Sequence, residues 1–314
     1  MQRRPFIKNL ISGGIALVCI VLLLKSLYQN YGLLQEQHLT FSPVQFSISL
    51  FPLVLSYFFI PAMWCGILVS FGISLPYRKA FCIQYLAHLG KYIPGKIWAY
   101  LAQSYLASQA HVSLAETLCS NAILMCLLSF SSLFVFAASF LAWNTFTFLT
   151  RLVLVVLSFF LIYLLFRMRL LETIFNLLLE RFTGIHNTLH CESLYYKNIF
   201  IASSLEWFTF TIGLYCMIKS FYPIDMLQSI IIVGTFSISW LVGYYAFLSP
   251  GGLGIQEGIQ VYLLTFFFPA PISIVIALTS RLWLTIGDVL IFLLALALTI
   301  HDNRLQRSIH GSYS

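Results

Sequence analysis

Apolar positions in this chain run on without the alternation or the one-sided spacing of a soluble fold. Uninterrupted apolar runs fall at residues 10–28, 46–71, 114–142, 150–167, 198–220 and 272–300. About 20 residues of helix span a hydrocarbon core of about 30 Å, so six full crossings are predicted. Two further apolar regions, 81–107 and 227–268, are broken in their middles. One break reads Gly90-Lys91-Tyr92-Ile93-Pro94-Gly95-Lys96, the other Ser249-Pro250-Gly251-Gly252-Leu253-Gly254-Ile255-Gln256-Glu257. Backbone freed by Pro or Gly cannot face lipid, where each unpaired amide costs several kcal/mol. Both breaks are therefore expected to be enclosed by protein or to line a wet cavity.

Composition supports the same class. Of 314 residues, 60% are hydrophobic and 9% charged, and the mean hydropathy is +0.90. No water-soluble surface of ordinary composition can be built from so few charges. The chain is read as one integral membrane domain over residues 1–314, all-α and polytopic. Its net charge of +7 is spread over short loops, which argues for topology signals rather than a nucleic-acid surface. The seven Cys (19, 65, 82, 119, 126, 191, 216) stand singly without a CxxC pair, so they are read as small hydrophobes with no disulfide framework.

The basic residues choose between crossings and hairpins. If each broken region returns to the side it entered from, one side collects Arg3, Arg4, Lys8, Arg78, Lys79, Arg167, Arg169, Arg181, Lys197, Arg304 and Arg307. The other side holds Lys25, Arg151 and Lys219 at helix ends, while Lys91, Lys96 and Arg281 stay within the membrane. That asymmetry is the one cytoplasmic loops carry, so both termini are expected inside, with 301–314 as a cytoplasmic tail. Arg3-Arg4 ahead of the first run resembles a twin-arginine export signal. Lys25-Ser26-Leu27-Tyr28 offers no small-residue cleavage site, so a retained first helix is expected.

Matching segments recur about 150 to 158 residues apart: 46–71 with 198–220, Pro94 with Pro250, and 114–142 with 272–300. Repeat A covers about 10–142 and repeat B about 150–300. Each has three spans and one re-entrant broken hairpin, and because three is odd the second copy must run upside down. Arms of about 9 to 13 residues would reach roughly 14 to 20 Å, bringing the two tips together near the midplane. Short Gly/Pro-interrupted segments at matching positions of inverted halves point to a substrate site.

Candidate chemistry gathers at these tips. Helices expected after Pro94-Gly95 and after Gly254 offer unpaired amides and a partial positive charge. With Lys91 and Lys96 beside the first, a phosphate would be stabilised there. Tyr92, Pro250, Gly251, Gly252, Gln256 and Glu257 complete the expected substrate-binding set. Glu206, Arg281 and Asp288, charged residues in apolar segments, are read as ion pairs or a charge relay. Arg281 and Asp288 share a helix face but lie two turns apart, so each is expected to find its partner on another segment, Glu257 or Glu206 in the case of Arg281. Gly254 and Gly258 have GxxxG spacing, read as close helix packing. His186, His190 and Cys191 lack the further ligands of a metal site, so neither metal nor cofactor is expected. An interfacial helix is expected within 170–190, with Glu172, Asn176 and Glu180 on one face. No catalytic constellation, P-loop or GxSxG is present, so an enzyme is not expected.

At the two breaks the sequence resembles the flippase-like membrane domain of the lysylphosphatidylglycerol synthase family. The carrying residues are Gly90-Lys91-Tyr92-Ile93-Pro94-Gly95-Lys96-Ile97-Trp98 and Ser249-Pro250-Gly251-Gly252-Leu253-Gly254-Ile255-Gln256-Glu257-Gly258. The likeness covers roughly residues 10–300, although the family often has Arg where Lys91 and Gln256 stand. It implies a multi-pass protein of the bacterial cytoplasmic (inner) membrane that translocates a lipid or lipid-linked headgroup. Its partners would be membrane lipids, such as an anionic phospholipid or a polyprenyl-phosphate-linked sugar. With about 14 residues after the last span, the aminoacyl-transferase domain of the synthases is not expected. A small-solute secondary transporter, and a non-catalytic accessory to a lipid- or polysaccharide-modifying enzyme, stay open as alternatives, as do any homo-oligomer and the identity of a partner enzyme.

Overall fold

The computed structural model describes residues 39–93, 97–143, 147–167, 193–246 and 249–311. The expected span 10–28, Pro94, Gly95 and Lys96, the expected surface helix within 170–190, and His186, His190 and Cys191 lie outside them. The described residues form helices and turns, with no strand among them. We number the helices α1 (Pro43–Tyr57), α2 (Phe59–Ser70), α3 (Tyr77–His88), α4 (Ile97–Ser108), α5 (Leu114–Ser139), α6 (Phe148–Arg167), α7 (Ser193–Lys219), α8 (Met226–Tyr245), α9 (Ile255–Leu264) and α10 (Ala270–Gly311). Short 3₁₀ turns at Leu89–Tyr92 and Pro250–Gly252 occupy the two breaks.

Local signals start these helices where the chemistry allows. Ser113 accepts from the Glu116 amide while the Glu116 carboxylate accepts from the Ser113 N–H, a capping box that opens α5. Asp225 and Gln228 do the same for α8, and Ser42 with Pro43 opens α1. Between α1 and α2 the helix breaks at Phe58. Pro61 has no N–H to give the Tyr57 carbonyl four residues back. The Tyr85 hydroxyl donates to that carbonyl instead, and the Tyr77 hydroxyl donates to the carbonyl of Phe58 at 2.8 Å.

Among the described residues, five segments are long and apolar enough to cross a membrane: Pro43–Ser70, Leu114–Ala142, Ile201–Lys219, Met226–Tyr245 and Ala270–Asp302. Four of them coincide with expected spans. The fifth, α8, corrects the expected arm length, because its 20 residues extend about 30 Å rather than half a bilayer. From Met226 to Tyr245 the chain has neither proline nor charge, so nothing stops the helix before Ser249-Pro250. In the first broken region α3 and α4 have 12 residues each, about 18 Å.

Packing between the two halves is reciprocal. Helix α1 lies along α7; α3 packs on α10 while α8 packs on α5; and the 3₁₀ turn at Leu89–Tyr92 packs on that at Pro250–Gly252. One end of the bundle joins Ser42 to Ser220 through a 2.7 Å backbone bond and stacks Trp143 edge-on against Phe267 at 4.8 Å. The other end carries the Arg78–Asp302 pair at 2.7 Å.

The core is held by fitted contacts rather than apolar area alone, since lipid is as apolar as leucine. Trp283, fully buried, donates from Nε1 to Ser49 Oγ at 2.9 Å, and a Cβ on Gly213 would stand 2.8 Å from its ring. Around Gly258 nothing lies within 4 Å of an added Cβ. Among the described residues, therefore, no helix packs closely on Gly258, in contrast to the close packing expected of the 254/258 pair. Gly213→Ala should destabilise the protein by about 1–3 kcal/mol through overpacking, whereas Gly258→Ala should stabilise it by about 0.5–1 kcal/mol as an unhindered helical alanine. Thermal midpoints in detergent will separate the two.

Candidate functional site

The first break delivers its polar side chains to one carboxylate. Asp288, midway along α10, is 1% exposed. Its Oδ2 receives the Tyr92 hydroxyl at 2.6 Å and lies 2.6 Å from Lys91 Nζ. Its Oδ1 receives the Tyr57 hydroxyl at 3.0 Å and lies 3.1 Å from His88 Nε2. His88 Nε2 is also 2.7 Å from Lys91 Nζ. That nitrogen has one in-plane position to share. It accepts from the ammonium when the ring proton is on Nδ1, or donates to Asp288 when Nε2 carries a proton. Asp288 is enclosed, while the side chains of His88 and Lys91 are 24% and 33% exposed, so the cationic side of the cluster is the accessible side.

The second break wraps an arginine. Arg281, seven residues before Asp288 on α10, donates from Nη2 to the Gly251 carbonyl at 3.0 Å and from Nη1 to Gln256 Oε1 at 3.4 Å. Its Nε stands 3.4 Å from Glu257 Oε1. Neither of those two atoms makes a hydrogen bond, so the pair is a loose one. The guanidinium also lies 5.7 Å from the centre of the Tyr92 ring, within cation–π range. Tyr92 thus faces both clusters: its hydroxyl serves Asp288 and its ring serves Arg281. The loop fits so closely because Gly251 and Gly252 have φ of 57° and 75°, and because a Cβ on Gly251 would meet Arg281 Nη2 at 3.1 Å and the Tyr92 ring at 3.2 Å.

The two breaks are therefore in contact, and within that contact Lys91 and Arg281 are balanced by Asp288 and Glu257. Compared with protein-family models, with curated proteins and with solved structures, the chain matches none.

Of the residues expected at the site, Lys91, Tyr92, Gly251, Gln256, Glu257, Arg281 and Asp288 come together, with Pro250 and Gly252 buried behind them. Two expectations are corrected. Lys91 is not a free cation waiting for phosphate, since it is already paired with Asp288. Nor is the start of α9 an open anion site: Glu257 folds back and accepts from the Gly254 N–H at 2.5 Å, placing its own carboxylate where the helix dipole favours a negative charge. Of the two partners expected for Arg281, Glu257 is the one it meets, and Glu206 joins neither cluster. Sequence reasoning missed His88 and Tyr57. His88 was legible, standing three residues before Lys91 on the same helical face. Tyr57 sits in an unbroken apolar run, and nothing local sets it apart.

Removing one member of a buried ion pair strands the other. Asp288→Asn and Lys91→Met should each destabilise the protein by about 3–5 kcal/mol, and the double variant by clearly less than their sum. Denaturant titration of the four proteins in detergent will measure the coupling.

Proposed function

We propose that the protein moves a lipid or lipid-linked headgroup bearing a phosphate across the membrane, passing it along the contact between the two breaks. The observation that carries this reading is the meeting of two Gly/Pro breaks, from separate halves of the chain, at a cluster of opposite charges inside an apolar helical bundle. Polar backbone and charge at that depth are expensive and are kept where they line a path or a site.

The full architecture in this reading is an inverted repeat with six crossings. The reciprocal packing supports it: helix pairs α3–α10 and α8–α5 exchange places between the halves, while α1–α7 and the two 3₁₀ turns meet their own counterparts. A twofold relation produces this pattern of contacts. The likeness of both breaks to the flippase-like domain of lysylphosphatidylglycerol synthases points to the same substrate class.

Because every cation here already has a partner, the headgroup acts by exchange. Its phosphate takes the place of the Asp288 carboxylate at Lys91, the more accessible cation, and takes the unbonded Nε–H of Arg281. The cations then keep an anionic partner throughout, while Asp288 retains the Tyr57 and Tyr92 hydroxyls and the His88 ring nitrogen. The acyl or polyprenyl tails stay in lipid.

Reconstitution into liposomes tests this directly. Fluorescent phosphatidylglycerol, or a polyprenyl-phosphate sugar, should change leaflets faster than in protein-free vesicles. Lys91→Gln and Arg281→Gln should lower the rate at least about tenfold, the effect of losing roughly 1.4 kcal/mol at the barrier. Arg78→Gln, at the half-exposed pair with Asp302, should leave it unchanged. No acceleration for any lipid tried would overturn the proposal.

A further inference from the structure

Outside the charge cluster, one acid stands alone in the apolar bundle. Glu206 lies in the Ile201–Lys219 segment that is apolar enough to cross a membrane. Its Oε2 is buried and makes no hydrogen bond, and among the described residues no basic side chain pairs with it. One turn earlier on the same face, the Ser203 hydroxyl is also buried and unbonded, with Ser203 only 6% exposed. The neighbouring Leu205 and Phe208 are exposed on the outside of the bundle, so the carboxyl sits at the edge of a lipid-facing stripe.

The elements packed against α7 are α1, α2, α5, α8 and α10. Their titratable side chains in this region are engaged elsewhere or uncharged: Tyr57 and Asp288 with each other, Arg281 with the second break, Tyr244 with Tyr100, Cys65 and Cys126 as thiols. Tyr85 on α3 is the titratable group within electrostatic reach of Glu206. Its hydroxyl donates to the Tyr57 carbonyl, and the Tyr57 hydroxyl in turn donates to Asp288. The Tyr85–Tyr57 connection thus leads to Asp288.

Among the described residues neither a counter-ion nor a donor reaches Glu206 Oε2, and a charge on a buried oxygen so placed is costly where a neutral acid is tolerated. We infer that Glu206 is a proton-binding site of the membrane core, occupied in the conformation described here and distinct from the ion-paired acids Asp288 and Glu257. Its ligand is a proton, exchanged at the edge of the bundle beside the Tyr85–Tyr57 connection. The inference does not depend on what the protein translocates.

An apolar carbodiimide tests it, because the reagent adds across the protonated carboxyl and modifies that form alone. In membranes containing the full chain at about pH 7, peptide mapping by mass spectrometry should find about tenfold or more adduct at Glu206 than at Asp288 or Glu257, and the Glu206 adduct should fall about tenfold per pH unit once the acid ionises. Infrared spectra should contain a protonated carboxyl stretch that Glu206→Gln removes. Labelling of Asp288 or Glu257 as strong as that of Glu206, or no Glu206 adduct from about pH 5 to 8 while a control membrane protein is labelled, would overturn it. The mapping uses the unmodified sequence, so it holds even if Glu206→Gln fails to fold.

Discussion

A carboxylate buried to 1% exposure must be surrounded by donors, and here the surroundings of Asp288 organise the molecule. Its partners among the described residues, Tyr57, His88, Lys91 and Tyr92, come from the first half of the chain, roughly two hundred residues away. Helix α10 is thereby tied to α1, to α3 and to the first break. One turn above Asp288, Trp283 bonds to Ser49 and packs against Gly213, so the polar tie is set in a close-packed frame that fixes the height of α10 against α1 and α7. Apolar burial alone would leave that height loose, since helices sliding past one another in lipid exchange one greasy surface for another.

The breaks obey the same rule at the level of backbone. A carbonyl released by Pro or Gly has no water to turn to in an apolar bundle, and two of them are taken by side chains from other elements. The Tyr57 carbonyl, deprived of a donor by Pro61, is taken by Tyr85; the Gly251 carbonyl is taken by Arg281. These bonds let irregular backbone persist inside the bundle, and they also hold Arg281 and the Tyr57 region where the charge cluster needs them. Tyr92 completes the join, giving its hydroxyl to one cluster and its ring to the other.

Much of the helical skeleton was legible because long apolar runs have one economical solution in a membrane and because Ser113, Asp225 and Ser42 announce helix starts. The break sequences were legible too, since Pro and Gly act on the backbone wherever they stand. Helix α8 was read too short: the apolar region was bounded at 227, close to its observed start, but a re-entrant hairpin allows its arm only half a bilayer. Gly254 and Gly258 looked like a packing motif, but spacing carries no information on whether a neighbour is present, and among the described residues none stands beside Gly258.

Sequence by itself determined that this chain is helical, with segments apolar enough to cross a membrane, two interrupted segments and a handful of charges within apolar runs, because hydrophobic length and backbone chemistry are local properties. Which charges meet was decided only by the tertiary structure. Lys91 with Asp288, Arg281 with Glu257, and Glu206 joined to neither pair are the outcome of how the helices pack, and the energy of a buried charge depends on atoms that lie far apart along the chain.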